Sequence, residues 1–226
     1  MKDRADKLLV SLGLFDSRAS ARAAIEAGRV TAGGVTVAKP SQILSGDDAI
    51  EAAPAHPYVS RGGLKLAHGL EAFGVSPAGR HCLDIGASTG GFTDVLLQGG
   101  ADHVFAIDSG TNQLAWKLRQ DARVTVLEQT SARILTPAMI DRPATWIVCD
   151  ASFIGLSKVL ERPLELAERV CRLVALIKPQ FEVGREEVGK KGVVSDPALH
   201  LRVCEEVREW VEGLDFDVQG IVESPI

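Results

Sequence analysis

Over the first fifty residues, apolar side chains recur at helical spacing and then in short strand-like runs. Residues 3–13 predict a helix with an apolar face formed by Ala5, Leu8, Leu9 and Leu12. Ser17 begins a second helix, which we expect to end at Gly28. Two Val-Thr pairs flank Gly33-Gly34 and predict a compact hairpin. Residues 1–53 therefore predict a small α+β domain, followed by a proline-containing linker over 54–62.

From residue 80 onward, apolar runs of strand length alternate with helical segments. The expected strands are 82–85, 104–107, 124–127, 146–149, 172–177 and 217–222. This alternation is typical of a mostly parallel sheet with helices on both faces, so residues 63–226 predict a doubly wound, Rossmann-like α/β domain. In such sheets the ligand site lies beyond the carboxyl ends of the strands. Gly86, Asp108, Asp150 and Lys178 each follow a strand and are expected at that edge.

The motif after the first of these strands indicates a cofactor site. It reads Asp84-Ile-Gly86-Ala-Ser88-Thr-Gly90-Gly91-Phe92. Glycines let the backbone approach a ligand closely, and Asp108 can accept hydrogen bonds from both hydroxyls of a ribose. The motif lacks the Gly-x-Gly-x-x-Gly spacing that seats a pyrophosphate at a helix N-terminus. Because Asp84 suits the ammonium of an amino-acid moiety, S-adenosylmethionine fits better than a nicotinamide dinucleotide.

The expected cofactor-binding residues belong to this motif and to the end of the next strand: Asp84, Gly86, Ser88, Gly90, Gly91, Phe92 and Asp108. Adenine contacts are expected in the segment 128–131, after the third strand, without a particular residue. The alternative is a glycine-rich turn that holds no ligand.

Three more polar residues are candidates for chemistry. Asp150 and Lys178 follow buried strands, and Lys65 lies in an amphipathic helix that precedes the glycine motif. A second ammonium nearby and partial burial disfavour the protonated form of a lysine, whereas a carboxylate opposes that effect and orients the ammonium. We expect such a group to deprotonate a weakly acidic hydroxyl, with Lys178 as base and Lys65 and Asp150 as orienting partners. Which lysine takes the proton stays open at this point.

Composition and charge narrow the possible classes of protein. The 226 residues, 46% of them hydrophobic, suffice for one α/β core and a small additional domain. The formal net charge is -5, but residues 1–40 hold seven Lys/Arg against four acids. The four cysteines lack metal-ligand spacing, so we expect reduced core residues and no metal site. With no leader and no apolar run near ~18 residues, a cytoplasmic protein without membrane contact is expected.

The basic N-terminal segment contains Arg4-x-x-Lys7-Leu-Leu, the Ser17-Arg18 helix that ends at Gly28, and Lys39-Pro-Ser. In these motifs it resembles an S4-type RNA-binding domain. Arg18 and Arg22 fall one helical turn apart, so both guanidinium groups can face the same phosphate backbone. The expected RNA-binding residues are Arg4, Lys7, Ser17, Arg18, Arg22 and Lys39. A solvated helix face is the alternative.

The chain contains five characteristic blocks, at 60–66, 83–93, 113–119, 150–154 and 176–182. In these blocks nearly the whole chain resembles the TlyA-type (hemolysin A-like) ribosomal RNA methyltransferases, which join an S4 domain to an FtsJ-like methyltransferase domain. The resemblance implies S-adenosylmethionine-dependent 2′-O-methylation of ribose in rRNA, with ribosomal RNA or ribosomal subunits as partners and no obligate protein partner. It also implies a Lys-Asp-Lys-Glu tetrad, of which Lys65, Asp150 and Lys178 are three members.

The fourth member of the tetrad has no counterpart, since the family's glutamate follows the segment that corresponds to Ser224-Pro225-Ile226. We therefore expect a methyltransferase sheet without its C-terminal strand, truncated at that end. The missing glutamate leaves an alternative open, a non-catalytic RNA-binding ribosome-assembly factor with a methyltransferase-like fold. A cytolysin, which the family's older name suggests, has no support because no membrane-length helix is visible.

Overall fold

The computed structural model describes residues 2–226 and divides them into two compact units. The first unit extends to Pro57, and the second comprises Tyr58–Ile226. The division lies inside the segment 54–62 that was expected to link two domains. In the described part of the chain, no helix has both the length and the hydropathy of a membrane span.

The first unit is a small α+β domain. Its elements are β1 (Lys2–Arg4), α1 (Ala5–Ser11), α2 (Arg18–Glu26), β2 (Val30–Ala32), β3 (Val35–Thr36), β4 (Ile43–Ser45) and β5 (Ile50–Ala52). β1 pairs with β4, and β2 lies between β3 and β5, all antiparallel. The expected hairpin is confirmed as β2 and β3. The first helix starts later than expected, because Asp3 and Arg4 pair with β4 instead.

The two helices of this unit bury their apolar faces in a common core. Its members are Ala5, Leu8, Leu9, Phe15, Ala21, Ala24, Ile25, Val30, Val37 and Leu44. Ser17 caps α2 as expected, since its side chain accepts a hydrogen bond from the Ser20 amide at 3.2 Å. The placement of Leu12 on the buried face is wrong: α1 ends at Ser11, so Leu12 turns outward and is 45% exposed.

The second unit is an α/β domain. Its elements are α3 (Gly62–Ala72), β6 (His81–Ile85), α4 (Gly91–Gln98), β7 (His103–Ile107), α5 (Trp116–Arg119), β8 (Val124–Leu127), β9 (Ala144–Cys149), α6 (Leu156–Glu165), β10 (Ala167–Ala175), α7 (Pro179–Glu182) and α8 (Pro197–Glu212). The strands form one parallel sheet in the order β10-β9-β6-β7-β8. Because the chain winds outward on both sides of β6, the topological switch point lies between β6 and β9.

Both faces of this sheet are covered, which confirms the doubly wound architecture. In β6, Cys82 packs in the same cluster as α3 and α4, whereas Leu83 and Ile85 pack in the cluster that contains α6. This alternation places side chains of one strand in two separate cores. The centre of the sheet is therefore buried on both faces.

Five of the six expected strands are confirmed, and the sixth is wrong. Residues 216–226 have no regular secondary structure, and among residues 2–226 no strand pairs with the outer edge of β10. An apolar run becomes a strand only where a neighbouring strand completes its hydrogen bonds. Gly220 also has a φ of +155°, which lies outside the strand region.

Candidate active site

A cavity of about 280 Å³ lies at the carboxyl edge of the sheet, beside the switch point. It is bounded by the loops that follow β6, β9 and β10 and by the start of α3. The residues expected from the sequence that line it are Lys65, Gly86, Ser88, Gly91, Phe92, Asp150 and Lys178. Candidates that lie far apart in the chain therefore meet at one place.

Asp150 bridges the two candidate lysines. Its Oδ1 lies 2.6 Å from Lys178 Nζ, and its Oδ2 lies 3.2 Å from Lys65 Nζ. All three side chains are largely covered, with exposed fractions of 18% for Asp150, 18% for Lys178 and 24% for Lys65. Coverage of this kind reduces screening by solvent, so these charges interact more strongly than a surface ion pair does.

Lys178 is surrounded by oxygen atoms. Besides the carboxylate of Asp150, its Nζ donates to the Asp150 carbonyl at 3.0 Å, the Ala151 carbonyl at 2.9 Å and Ser152 Oγ at 3.0 Å. In the base role predicted for Lys178, a substrate hydroxyl must therefore displace one of these oxygen partners.

Gly86 brings the loop after β6 against the loop after β9. Its φ is +83°, and a Cβ at this position would lie 2.9 Å from both the N and the Cα of Ala151. No other residue type fits both conditions. The absence of a side chain thus places the glycine motif directly beside Asp150.

Asp84 lies behind the cavity and is completely buried. Its Oδ2 accepts a hydrogen bond from Thr93 Oγ1 at 2.6 Å, which connects β6 with α4. Burial raises the pKa of Asp84 to about 7, although the hydrogen bonds from Thr93 act in the opposite direction. Contact of Asp84 with a ligand ammonium stays a prediction.

Asp108 and Gly90 also lie outside the lining of the cavity. Asp108 accepts hydrogen bonds from the amides of Ser88, at 2.8 Å, and Gly110, at 2.7 Å. It thereby joins the glycine loop to the loop after β7. Each carboxylate oxygen has a second lone pair, so these bonds leave acceptor capacity for ribose hydroxyls. Gly90 directly precedes α4 and packs against side chains near α5.

Five residues of the lining were not predicted: Ser60, Gly62, Ala87, Thr89 and Ser152. The available signal was their place inside the same sequence blocks as the predicted residues. Phe153 was missed as well. Its ring is 91% exposed and lies 5.2 Å from that of Phe181, and its backbone has a φ of +67°. A solvent-exposed phenyl group on a strained backbone is typical of a functional position.

Glu128 organises the loop between β7 and α5. Its carboxylate accepts hydrogen bonds from the backbone amides of Asn112 at 2.8 Å, Gln113 at 2.9 Å and Leu114 at 3.2 Å. It also forms an ion pair with Arg119. The bond from Arg119 and those backbone donors lower the pKa of Glu128 to about 2. The expectation of adenine contacts in 128–131 stays untested, whereas the structural role of Glu128 in shaping this loop is evident.

In the first unit, Arg4 and Arg18 converge on buried Asp6. Arg4 Nε lies 3.0 Å from Asp6 Oδ1, and Arg18 Nη2 lies 2.7 Å from Asp6 Oδ2. The hydrogen bonds from these arginines hold the pKa of Asp6 well below its usual range. Arg22 instead approaches Glu26 at 3.8 Å. Both arginines therefore have acidic partners, of which Asp6 was not revealed by the sequence spacing, and their predicted contact with one phosphate backbone stays a prediction.

The predicted RNA contacts stay predictions, and the side chains retain exposed surface. Arg4, Arg18 and Arg22 are 41%, 52% and 57% exposed. The other three residues of the expected RNA surface, Lys7, Ser17 and Lys39, are exposed. All six can still be reached from solvent.

Comparison with known protein families identifies the class. The model of the FtsJ-like methyltransferase matches residues 58–226, and the model of the S4 domain matches residues 3–50. The first match covers the whole second unit, including the cavity and its Lys-Asp-Lys group. The protein is thus a methyltransferase that carries an S4 domain.

Relatives of similar length identify the family. The chain is 46% identical over 225 residues to the 16S/23S rRNA (cytidine-2'-O)-methyltransferase TlyA of Mycobacterium tuberculosis, covering 99% of this chain and 84% of the relative. It is 41% identical over 224 residues to Hemolysin A of Brachyspira hyodysenteriae, covering 99% and 93%. A solved structure of a protein described as a hemolysin, from Streptococcus thermophilus, matches with a TM-score of 0.75 and 41% identity, covering 100% and 83%. The chain belongs to the TlyA family of FtsJ-like methyltransferases.

Proposed function

We propose that this protein transfers a methyl group from S-adenosylmethionine to a ribose 2′-hydroxyl of ribosomal RNA. The observation that carries the proposal is the bridging of Lys65 and Lys178 by Asp150 beside the glycine loop. A ribose hydroxyl is a weak acid, so its use as a nucleophile requires a group that removes its proton. The names of the relatives from Mycobacterium tuberculosis and Campylobacter jejuni, both rRNA (cytidine-2'-O)-methyltransferases, support this substrate.

The glycine loop fits the cofactor. Gly86 and Gly91 expose backbone to the cavity, Ser88 offers a polar side chain, and Phe92 offers an apolar surface. When bound, S-adenosylmethionine supplies a methyl group that the positive charge on sulfur makes electrophilic. Asp108, next to the loop, is the candidate for the ribose hydroxyls of the cofactor, and Asp84 is the candidate for a counter-charge to its ammonium.

The Lys-Asp-Lys group is proposed to remove the proton of the ribose 2′-hydroxyl. In this proposal the 2′-hydroxyl replaces one of the present oxygen partners of Lys178. The neutral Nζ of Lys178 then takes the proton from that hydroxyl. Asp150 orients Lys178 and balances the charge of Lys65. The ammonium of Lys65, 3.2 Å from Asp150, then stabilises the oxyanion that develops on the ribose.

Two further features suit an RNA substrate. The S4 domain offers basic residues to the phosphate backbone, which hold the RNA without reading its sequence. The exposed ring of Phe153, next to Ser152 in the lining, offers a surface on which an unstacked base can lie. Ribosomal subunits are therefore the proposed partners, and a cytoplasmic location belongs to the same proposal.

The test is methyl transfer from labelled S-adenosylmethionine to ribosomal subunits and to free rRNA, with resistance of the product to alkaline cleavage as the sign of 2′-O-methylation. Lys178→Ala is expected to abolish transfer, and Lys191→Ala, at an exposed lysine outside the cavity, is the matched control. RNA binding without transfer by the unmodified protein would contradict the proposal and favour the non-catalytic assembly factor.

A further inference from the structure

The loop 151–155 connects the cavity to the start of α6. It carries Ser152, which lines the cavity and contacts Lys178, and Phe153, whose ring is exposed. α6 begins at Leu156, and the residue at its N-cap is Gly155, which has no side chain to accept the free amides of the first turn. Such amides need an acceptor from elsewhere.

Glu182 supplies that acceptor from a different segment. Its Oε1 accepts a hydrogen bond from the Leu156 amide at 2.9 Å. Glu182 is the last residue of α7, four positions after Lys178. A carboxylate is well suited to this place, because the first turn of a helix carries a partial positive charge. The start of α6 is therefore bonded to the segment that bears Lys178.

Close packing supports the same connection. A Cβ on Gly155 would lie 2.9 Å from Glu182 Oε2 and 3.3 Å from the Phe181 carbonyl oxygen. The rings of Phe153 and Phe181 are 5.2 Å apart, and Lys178 bonds Ser152. The loop 151–155 thus follows the segment 178–182 along its whole length.

Glu182 is itself half-buried. Burial raises the pKa of this carboxyl, whereas the bond from the Leu156 amide and the charge of Lys158 on α6 lower it; Glu206 on α8 is the like charge that faces it. The contacts of Glu182 with α6 therefore oppose the effect of burial on this carboxyl.

We propose that Glu182 is a positioning residue for the target nucleotide: by capping α6 it holds the loop 151–155, so that Ser152 stays on Lys178 and Phe153 keeps its exposed orientation. This inference rests on the proposed function. The positive φ of Phe153 supports the positioning role, because a strained backbone persists only where the surrounding contacts hold it in place.

Three variants test the role. Glu182→Ala removes the cap and is expected to lower kcat/KM for the RNA substrate on the order of tenfold, while the affinity for S-adenosylhomocysteine stays unchanged. Glu182→Gln keeps an oxygen acceptor for the Leu156 amide and is expected to restore most of the activity. Glu186→Ala, at an exposed glutamate four residues further on, is the matched control and should behave as the unmodified protein does.

Hydrogen exchange provides a readout that does not depend on activity. In Glu182→Ala, amides of residues 151–157 are expected to exchange faster, while those of β6 and β7 keep their protection. Loss of protection throughout the sheet would overturn the inference, because it would show a general structural role. Faster exchange of the loop with unchanged kcat/KM for RNA would overturn it too. Failure of the unmodified protein to methylate RNA would contradict the proposed function, and the exchange result would still report on the cap.

A double-mutant cycle tests the coupling directly. Gly155→Ala places a methyl group against the carboxylate and is expected to mimic Glu182→Ala. When both are combined, the contact with Oε2 no longer exists, so the fall in kcat/KM for RNA should be clearly smaller than the product of the single effects. Effects that multiply would show that the two residues act independently and would refute the positioning role.

Discussion

The Nζ atom of Lys178 lies 2.6 Å from the carboxylate of Asp150, although a complete helix separates the two residues in the chain. The two residues follow neighbouring strands. The contact exists because β9 and β10 are parallel and end at the same edge of the sheet. Lys65 reaches the other oxygen of Asp150 from α3. The edge at the switch point therefore holds one negative and two positive charges beside the glycine loop.

Replacing Asp150 by asparagine tests whether its charge, and not only its shape, is needed. Asp150→Asn leaves two lysines without a compensating carboxylate, so neither is oriented for proton transfer. We expect methyl transfer to fall by about 10²-fold or more, measured as kcat with saturating RNA. Asp141→Asn, at a surface ion pair with Arg142, is the matched control and should keep full activity. Activity of Asp150→Asn close to that of the unmodified protein would contradict the role of the bridge.

The buried Asp84 should make stability depend on pH. Its pKa is about 7 in the folded chain and near 3.8 when unfolded, so between these values the folded chain keeps a proton that the unfolded chain has lost. The Asp84 contribution to the free energy of unfolding therefore falls as pH rises from about 4 to about 7, by up to about 1.4 kcal/mol per pH unit, and is constant above that.

Asp84→Asn removes this contribution and is expected to raise the free energy of unfolding at pH 7.5 relative to the unmodified protein, with little gain at pH 4. Urea unfolding followed by tryptophan fluorescence measures it, since all three tryptophans lie in the second unit. Asp102→Asn, at an exposed position, is the control. If the free energy of unfolding of Asp84→Asn differed from that of the unmodified protein by the same amount at both pH values, the carboxyl would not titrate in this range.

Replacement of Arg22 and replacement of Arg18 should have different effects on the stability of the S4 domain. Arg22 makes a long, exposed contact with Glu26, so Arg22→Ala is expected to weaken RNA binding and reduce its salt dependence without loss of stability. Arg18→Ala also leaves buried Asp6 with one arginine fewer and is expected to destabilise the first unit.

Filter binding of rRNA at several salt concentrations, together with thermal unfolding, separates these two effects. Arg29→Ala, an exposed arginine outside the expected RNA surface, is the control. A salt slope unchanged in both variants would place the RNA contact elsewhere.

The side chain of Phe153 should contribute to RNA binding and not to the stability of the fold. Phe153→Ala removes an exposed ring and is expected to weaken productive RNA binding by about 1–3 kcal/mol, the usual range for one base stacked on an aromatic side chain. Phe153→Tyr keeps the ring and should keep the activity. The measurement is kcat/KM for rRNA, with affinity for S-adenosylhomocysteine as the check on the cofactor site.

Val170→Ala, at another exposed apolar side chain, is the control for loss of apolar surface. Full activity of Phe153→Ala toward RNA would rule out the stacking role.

The central strands and the glycine motif were predictable because their signals are local. An apolar run of this length makes a buried strand in almost any α/β setting, as β7 and β9 show, and the glycines that follow β6 make a tight turn. The meeting of Asp150 and Lys178 was expected for a related reason, since the ends of parallel strands share one edge. Lys65 was expected there as a residue of the helix that precedes the glycine motif.

Other features depended on partners that sequence spacing does not reveal. The apolar run 217–222 resembled a strand, but among the residues that the structure describes no strand pairs with it. Arg18 was predicted to face RNA, and the sequence spacing did not reveal that it also binds a buried carboxylate twelve positions away. Glu182 was part of a matching block without a function of its own, until folding placed it at the start of α6.

The residues alone determined a small α+β domain, a doubly wound sheet and a ligand loop at the carboxyl edge, because periodicity and turn chemistry act over a few neighbouring positions. The fold then determined which charges are paired, which carboxyl titrates near pH 7 and which loop is held against Lys178. Those properties depend on burial and on distances between segments remote in the chain, and these come into existence only when the chain has folded.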